Sequence, residues 1–301
     1  MKPSNRHLIF AACLIPFLTA PASSENAARE TPKPEDICDY TTPDDVDRAT
    51  TGSFFKLAAC LSHETPDIRD GIGYTVMAEM LRETPPDEDD LRRLKDQLTS
   101  MVETADQDAQ GFQGPFAILA LSEIARTDRV SAWMTSDERV LLAQLGADYL
   151  NALTDYRGFN EIDGWRHGVA HTADLFMQLS LSDRASYDEA DIMLQAINAK
   201  IAPVDGVAYR FGEPERLARP VIFLARSGLM DEDRATDFFR ALKPDLRQER
   251  WREPYANEAG LIALHNTKAF ANSIYLSVMV SETPTDDLLA EQAILLRRAL
   301  P

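Results

Sequence analysis

Residues 61–81 read LSHETPDIRDGIGYTVMAEML. An apolar-periodic segment stops at Leu61, Thr65-Pro66-Asp67 turns the chain, and a second segment opens at once with Arg69 and Asp70 at its start. Thr65 is placed to cap the new helix, and Pro66 suits the first turn, where a missing N–H is no loss. Helix, tight turn and helix again make the unit of a HEAT-type repeat. Upstream, Phe54, Leu57, Ala58 and Leu61 fall on one face of a helix over 51–61. Downstream the pattern predicts helices over 66–82, 87–102, 116–125, 138–153, 164–181, 186–201, 217–229, 234–242, 260–280 and 288–300. Ser186 and Glu189 open one of these as a capping box. Strand signals are confined to 207–211, between Gly206 and Gly212, which predicts a loop or a minor hairpin. The chain is therefore expected to be all-α, with antiparallel helix pairs stacked as a HEAT- or armadillo-like α-solenoid; a closed α/α toroid is the alternative. No clean sequence period marks the pairs.

The chain begins MKPSNR, continues through an apolar run over 8–20, and reaches the small residues Ala20-Pro21-Ala22. That order predicts a signal peptide over 1–22, since the run is broken by Pro16 and falls short of the roughly 20 residues that span a bilayer. Export to the periplasm or the exterior is expected, with no stable membrane anchor after cleavage. Residues 23–43 are polar and proline-bearing and read as an extended arm, with 44–301 as one all-helical domain. Lys+Arg number 31 against 49 Asp+Glu, a formal charge of −18. Such a field repels phosphate backbones and anionic headgroups, which argues against nucleic acid and peripheral membrane as partners. Cys38 and Cys60 remain after cleavage, and in an oxidising compartment the pair predicts one disulfide, worth about 3 kcal/mol in the chain-entropy model. The C-x-x-C spacing of a redox enzyme is absent.

Residues 163–174, DGWRHGVAHTAD, hold two of the five histidines. On a helix over 164–181, Trp165, Val169, Ala173 and Phe176 share a face expected to be core, with Asp163 as the cap. His167, His171, Asp174 and Gln178 fall together on the opposite face. Two imidazoles one turn apart can share a divalent metal such as zinc, or act as acid and base. A zinc protease is disfavoured, because H-E-x-x-H needs a glutamate where Gly168 stands. Asp174 lies about 10.5 Å of helix rise from His167, too far to share one ion, and is cast instead as the group that orients His171. Asp155, Arg157 and Glu161 precede this helix, so charges of both signs gather near the histidines; an Arg–carboxylate clamp on the loop accounts for them equally well. His265 and Asn266, in ALHNTKAF, reach the same centre if the chain curls. The expected ligand-binding residues are thus Asp155, Arg157, Glu161, Trp165, His265 and Asn266. The plain structural alternative is a hydrogen-bonded network that stitches helices together.

At these residues the sequence resembles a bacterial family catalogued as domain of unknown function 2785. The likeness is carried by Asp155, Arg157-Gly158-Phe159, Gly164-Trp165, His167, Ala170-His171 and Ala173-Asp174. It extends from about Leu57, through PDIRDGIGY, to HNTKAFANSIYL near the C-terminus. One departure is GPFAILAL over 114–121, where the family carries a polar Arg-Ser-Phe-Ser run and this chain keeps only Phe116. The resemblance implies an all-helical fold with a shared polar centre, and no activity. Two functions follow as expectations: an exported module that binds a protein, peptide or small molecule through a polar groove on the histidine helix, or a hydrolase. In the hydrolase, His167 and His171 bind a metal or act as acid and base, Asp174 orients and Arg157 holds an anion.

Overall fold

Ser53, Phe54, Leu57 and Ala58 all face inward from α1 (Gly52–Cys60), so the first helix is anchored by the stripe its spacing announces. The computed structural model describes residues 37–301 except 205, 282, 284 and 285; the signal peptide expected over 1–22 and the expected arm up to residue 36 lie outside the described residues. Beyond α1 come α2 (Thr75–Glu83), α3 (Glu88–Glu103), α4 (Gln113–Val130), α5 (Ser136–Ala152), α6 (Gly168–Ser180) and α7 (Tyr187–Ile201). They are followed by α8 (Glu213–Arg226), α9 (Glu232–Ala241), α10 (Glu249–Arg252), α11 (Glu258–Met279) and α12 (Asp286–Ala299). A two-stranded pairing of β1 (Phe159–Asn160) with β2 (Gly164–Trp165) is the only sheet among the described residues, and the fold class is all-α.

The helices pack in two rows. In one, α2, α4, α6, α8 and α11 lie side by side; in the other, α1, α3, α5, α7, α9 and α12 do. Successive helices bridge the rows, α1 with α2, α3 with α4, α5 with α6, α7 with α8 and α11 with α12. Within the first row, α4 is buried without a break from Gly114 to Ala125. A helix covered on all sides has no use for a polar stripe, which explains GPFAILAL.

The turn at 61–67 departs in detail from its sequence reading. The Thr65 side chain makes no capping bond; instead its backbone N donates to the His63 ring at 3.0 Å. The helix then starts as a π-helical segment, Asp67–Tyr74, that runs directly into α2. A Cβ on Gly73 would stand 3.1 Å from the Cys60 Cβ, so glycine lets this segment settle close against α1. Cys60 is also bonded to Cys38, as expected, which ties residues before α1 to its last turn. The Ser186–Glu189 capping box forms on α7, and a second, Thr135–Glu138, opens α5.

Where α4, α5 and α7 meet, charges are enclosed. The fully buried Arg139 donates to Asp128 Oδ2 at 3.2 Å, Glu189 Oε1 at 2.7 Å and Ser182 Oγ at 3.0 Å. Asp128 also accepts from the backbone N of Trp133 and Met134 and pairs with Arg184. Each carboxylate therefore has a cation, the condition under which burial of charge is tolerated.

Candidate functional site

The histidine segment is not a single helix. Asn160 Oδ1 accepts from the backbone N of Ile162 and Asp163, closing a side-chain turn that competes with helix. Gly164, at φ 71, then sends the chain back as β2, with Phe159 opposite Trp165. A Cβ there would press on Pro66 and on Arg69 Nη2 at 3.1 Å. The ladder continues as Arg166 N donates to Gly158 O and His167 N to Arg157 O. Only at Gly168 does α6 begin, later than the 164–181 span predicts. Asp163 is accordingly not its cap; its carboxylate accepts from Asn160 Nδ2 and Arg166 Nη1. Trp165 leaves the core for the same reason and is 37% exposed.

His167 makes the transition from hairpin to helix. Its φ of 60 and ψ of 37 are left-handed, and it is the one non-glycine residue with positive φ among the described residues. Its ring stacks on Trp165 at 4.8 Å and meets Phe211 edge-on at 6.4 Å. Although His167 is only 7% exposed, its Nε2 has no hydrogen-bond partner among the described residues. Glu213 Oε1, the near carboxylate, is 3.7 Å away, too far for a hydrogen bond. One turn on, His171 is buried, edge-on to Phe116, with Nδ1 3.1 Å from the Pro115 carbonyl. A carbonyl only accepts, so Nδ1 carries the proton.

Asp174 does not orient His171. It pairs with Arg216 of α8, while Gln178 accepts from Arg129 of α4 at 3.0 Å. The stripe His167, His171, Asp174, Gln178 is real, but it faces neighbouring helices in its own row rather than water. The same face continues onto α2 and α4, where Glu123 takes Arg82 and the Tyr74 hydroxyl. Burial pushes the Asp174 carboxyl up, against the pull of Arg216.

Three arginines hold the hairpin. Arg69, with no exposed surface, donates through Nη2 to Asp163 O at 2.7 Å and through Nη1 to His63 O and Glu64 O. Its Nε lies 2.8 Å from Asp70 Oδ1, with the N–H poorly aligned for a bond. The equally enclosed Arg166 donates to Gln110 O at 2.7 Å. Both guanidinium carbons sit over Phe112, at 3.9 and 4.1 Å from the ring centre. Arg157 is clamped to Asp155 and also reaches Gln110 O. Gly111, at φ 75, leaves no room for a side chain against that clamp: a Cβ would be 2.6 Å from Asp155 Oδ2. Arg69, Arg166, Phe112, Phe211 and Glu213 went unassigned in the sequence reading.

Glu161 stands exposed in the hairpin turn, with no hydrogen bond or ion pair among the described residues. His265 and Asn266 reach the centre through an intermediary. Asn266 accepts from Tyr209 N at 3.1 Å and donates to Val207 O at 2.8 Å, and His265 Nε2 contacts Tyr209 O. They thereby fix 207–211, which is a loop, and its Phe211 is the ring that meets Trp165 and His167. Gly158 gives Phe211 its space, since a Cβ would fall 2.1 Å from that ring. A cleft of about 560 Å³ opens between 154–160 and Val207, Arg210 and Phe211. Among the described residues, no three or more His, Cys, Asp and Glu side chains group to hold a metal ion; the histidine pair lacks a third ligand.

Both imidazoles are neutral near pH 7. Burial, then the charge of Arg216, holds His167 down at about 4; burial, then His167 itself, holds His171 at about 3. Below the ordinary value of about 6.5 the unfolded chain binds more protons than the fold does. Stability is therefore full above pH 6.5 and lost as pH falls from there toward 4, at ~1.4 kcal/mol per pH unit per histidine. Urea unfolding of His171→Gln is expected to lose ~2 kcal/mol less between pH 7 and 5 than the unaltered protein does. An unchanged difference would show that His171 titrates normally.

A family model described as "Protein of unknown function (DUF2785)" matches residues 90–276. That is more than half of the chain, which belongs to this family. No curated protein and no solved structure matches it.

Proposed function

With that membership as the premise, we propose that the protein is a binding module whose ligand docks at the junction of the hairpin and α6. The observation that carries this is His167. A side chain held in left-handed backbone, with a buried ring nitrogen left unpartnered, is disfavoured twice over, by roughly 1–3 kcal/mol for each feature. Such strain collects where a ligand completes the bonding. Beside it, Trp165 and Phe159 offer half-exposed aromatic faces 5.0 Å apart. Three charge pairs nearby are closed within the protein, Asp155 with Arg157, Asp163 with Arg166 and Asp174 with Arg216. An uncharged polar ligand with an apolar face fits that chemistry, and a saccharide or a short peptide has both.

The two-row packing supports an open HEAT-like solenoid as the scaffold, with residues 44–301 as one domain. Export to the periplasm or exterior rests on the N-terminal sequence and agrees with the Cys38–Cys60 bond. The hydrolase roles are less well served: Asp174 is occupied by Arg216, and Arg157 by Asp155.

Thermal unfolding against a panel of neutral saccharides and short peptides tests the proposal. At least one compound is expected to raise the midpoint of the unaltered protein and not of His167→Asn, which tolerates the same backbone. A panel in which none does, or in which both proteins respond alike, would overturn it.

A further inference from the structure

The hairpin beside His167 keeps one edge unpaired among the described residues. We propose that an extended peptide adds to that edge as a third strand, in the cleft between 154–160 and the 207–211 loop. This rests on the docking reading above and narrows its ligand to a peptide. The direction of the backbone carries the inference. Phe159 stands opposite Trp165, Asn160 stands opposite Gly164, and Arg166 N donates to Gly158 O. Bonded positions alternate along an antiparallel pair, so Gly158 and Asn160 face β2 while Phe159 turns its N–H and C=O the other way. Neither of these two groups meets a donor or acceptor among the described residues. Phe159 is exposed and lines the cleft, and an open edge of this kind is a template for another strand.

The shape of the cleft suits a chain rather than a single sugar or amino acid. Its near wall is seven consecutive residues, 154–160, which run without helix or turn into β1. Extended backbone of that length reaches about 20 Å, room for about six residues of an added strand. At the other end of this wall, Thr154, Asp155 and Arg157 also border a second cavity, of about 310 Å³. The path along the wall thus continues past the Arg157–Asp155 clamp. Across the cleft, Val207 O and both backbone groups of Tyr209 are taken by Asn266 and His265. The strand bonds therefore form on the β1 side, with the rings of Phe159 and Phe211 offered to the side chains of the ligand. A peptide supplies the N–H and C=O of one residue together, as Phe159 requires, and repeats them at every second residue; a saccharide does not.

Selection from a randomised library of capped hexapeptides on the immobilised whole chain, then isothermal titration of an enriched sequence, provides the test. Enrichment is expected, and so is a split by register. N-methylation of every second amide weakens binding by about tenfold or more in one register and by about threefold or less in the other, because only alternate amides face β1. Phe159→Pro removes the outward N–H and keeps the bonds to β2, and is expected to bind about tenfold more weakly; Phe159→Leu, which keeps that N–H, binds more tightly than Phe159→Pro. The register split decides the matter where Phe159→Pro fails to fold. No enriched hexapeptide, equal loss in both registers, or full affinity in Phe159→Pro would overturn the proposal. A dimer in solution that ignores peptide would assign the edge to a second copy and overturn it as well. A saccharide that raises the unfolding midpoint through His167, while no hexapeptide binds, overturns strand addition alone and leaves the docking point standing.

Discussion

Arg139→Met is expected to destabilise the protein by about 3–5 kcal/mol, the largest loss for any single substitution considered. The methionine fills much of the same space, so the loss comes from charge. Asp128 Oδ2 and Glu189 Oε1, both without exposed surface, lose the guanidinium that joins them. Asp128 keeps Arg184 and two backbone donors, but Glu189 keeps only the bonds of its capping box. A buried carboxylate in that position must be left charged without a cation or take up a proton, and either is unfavourable. Because these groups link α4, α5 and α7, the whole unfolding transition moves, and the urea midpoint reads it directly. A shift equivalent to less than about 1 kcal/mol would mean that the enclosed charges contribute little beyond their packing.

Arg69→Met is expected to cost about 3 kcal/mol or more, and to do something Arg139→Met does not. Three backbone oxygens, of His63, Glu64 and Asp163, lose their donor, Phe116 loses the cation above it and Phe112 keeps only Arg166. The bond to Asp163 spans from the start of the π-helical segment to the hairpin. Its loss frees the hairpin locally, so Trp165 becomes more accessible at denaturant concentrations well below global unfolding. Arg157→Ala makes the contrast. That side chain is half exposed, and breaking its clamp on Asp155 is expected to change stability by less than about 1 kcal/mol.

The fold was legible wherever burial follows period. In 61–81 the spacing Arg69, Ile72, Val76 already places an arginine on an apolar face, and that anomaly was the available signal for Arg69. At 163–167 periodicity misled. Trp165 and Val169 share a helical angle, but an asparagine turn, Gly164 and a left-handed His167 hold the chain as a hairpin up to Gly168. Side-chain turns of this kind leave no periodic trace. The partner of Asp174 was equally hidden, because Arg216 lies 42 positions away and meets it only when α8 packs on α6. What the sequence did place correctly is the pair of histidines on one face, four residues apart, whose rings stand 5.8 Å from each other.

The central claim is that His167 and Trp165 form a docking point. Trp133 and Trp251 are buried, so acrylamide quenching of tryptophan emission reports mainly on Trp165. Measured at pH 7 with a saccharide or peptide that raises the unfolding midpoint, quenching is expected to fall on ligand addition, and to stay unchanged in folded His167→Asn. Quenching that never responds to such a ligand, or responds equally with and without the imidazole, would contradict the account.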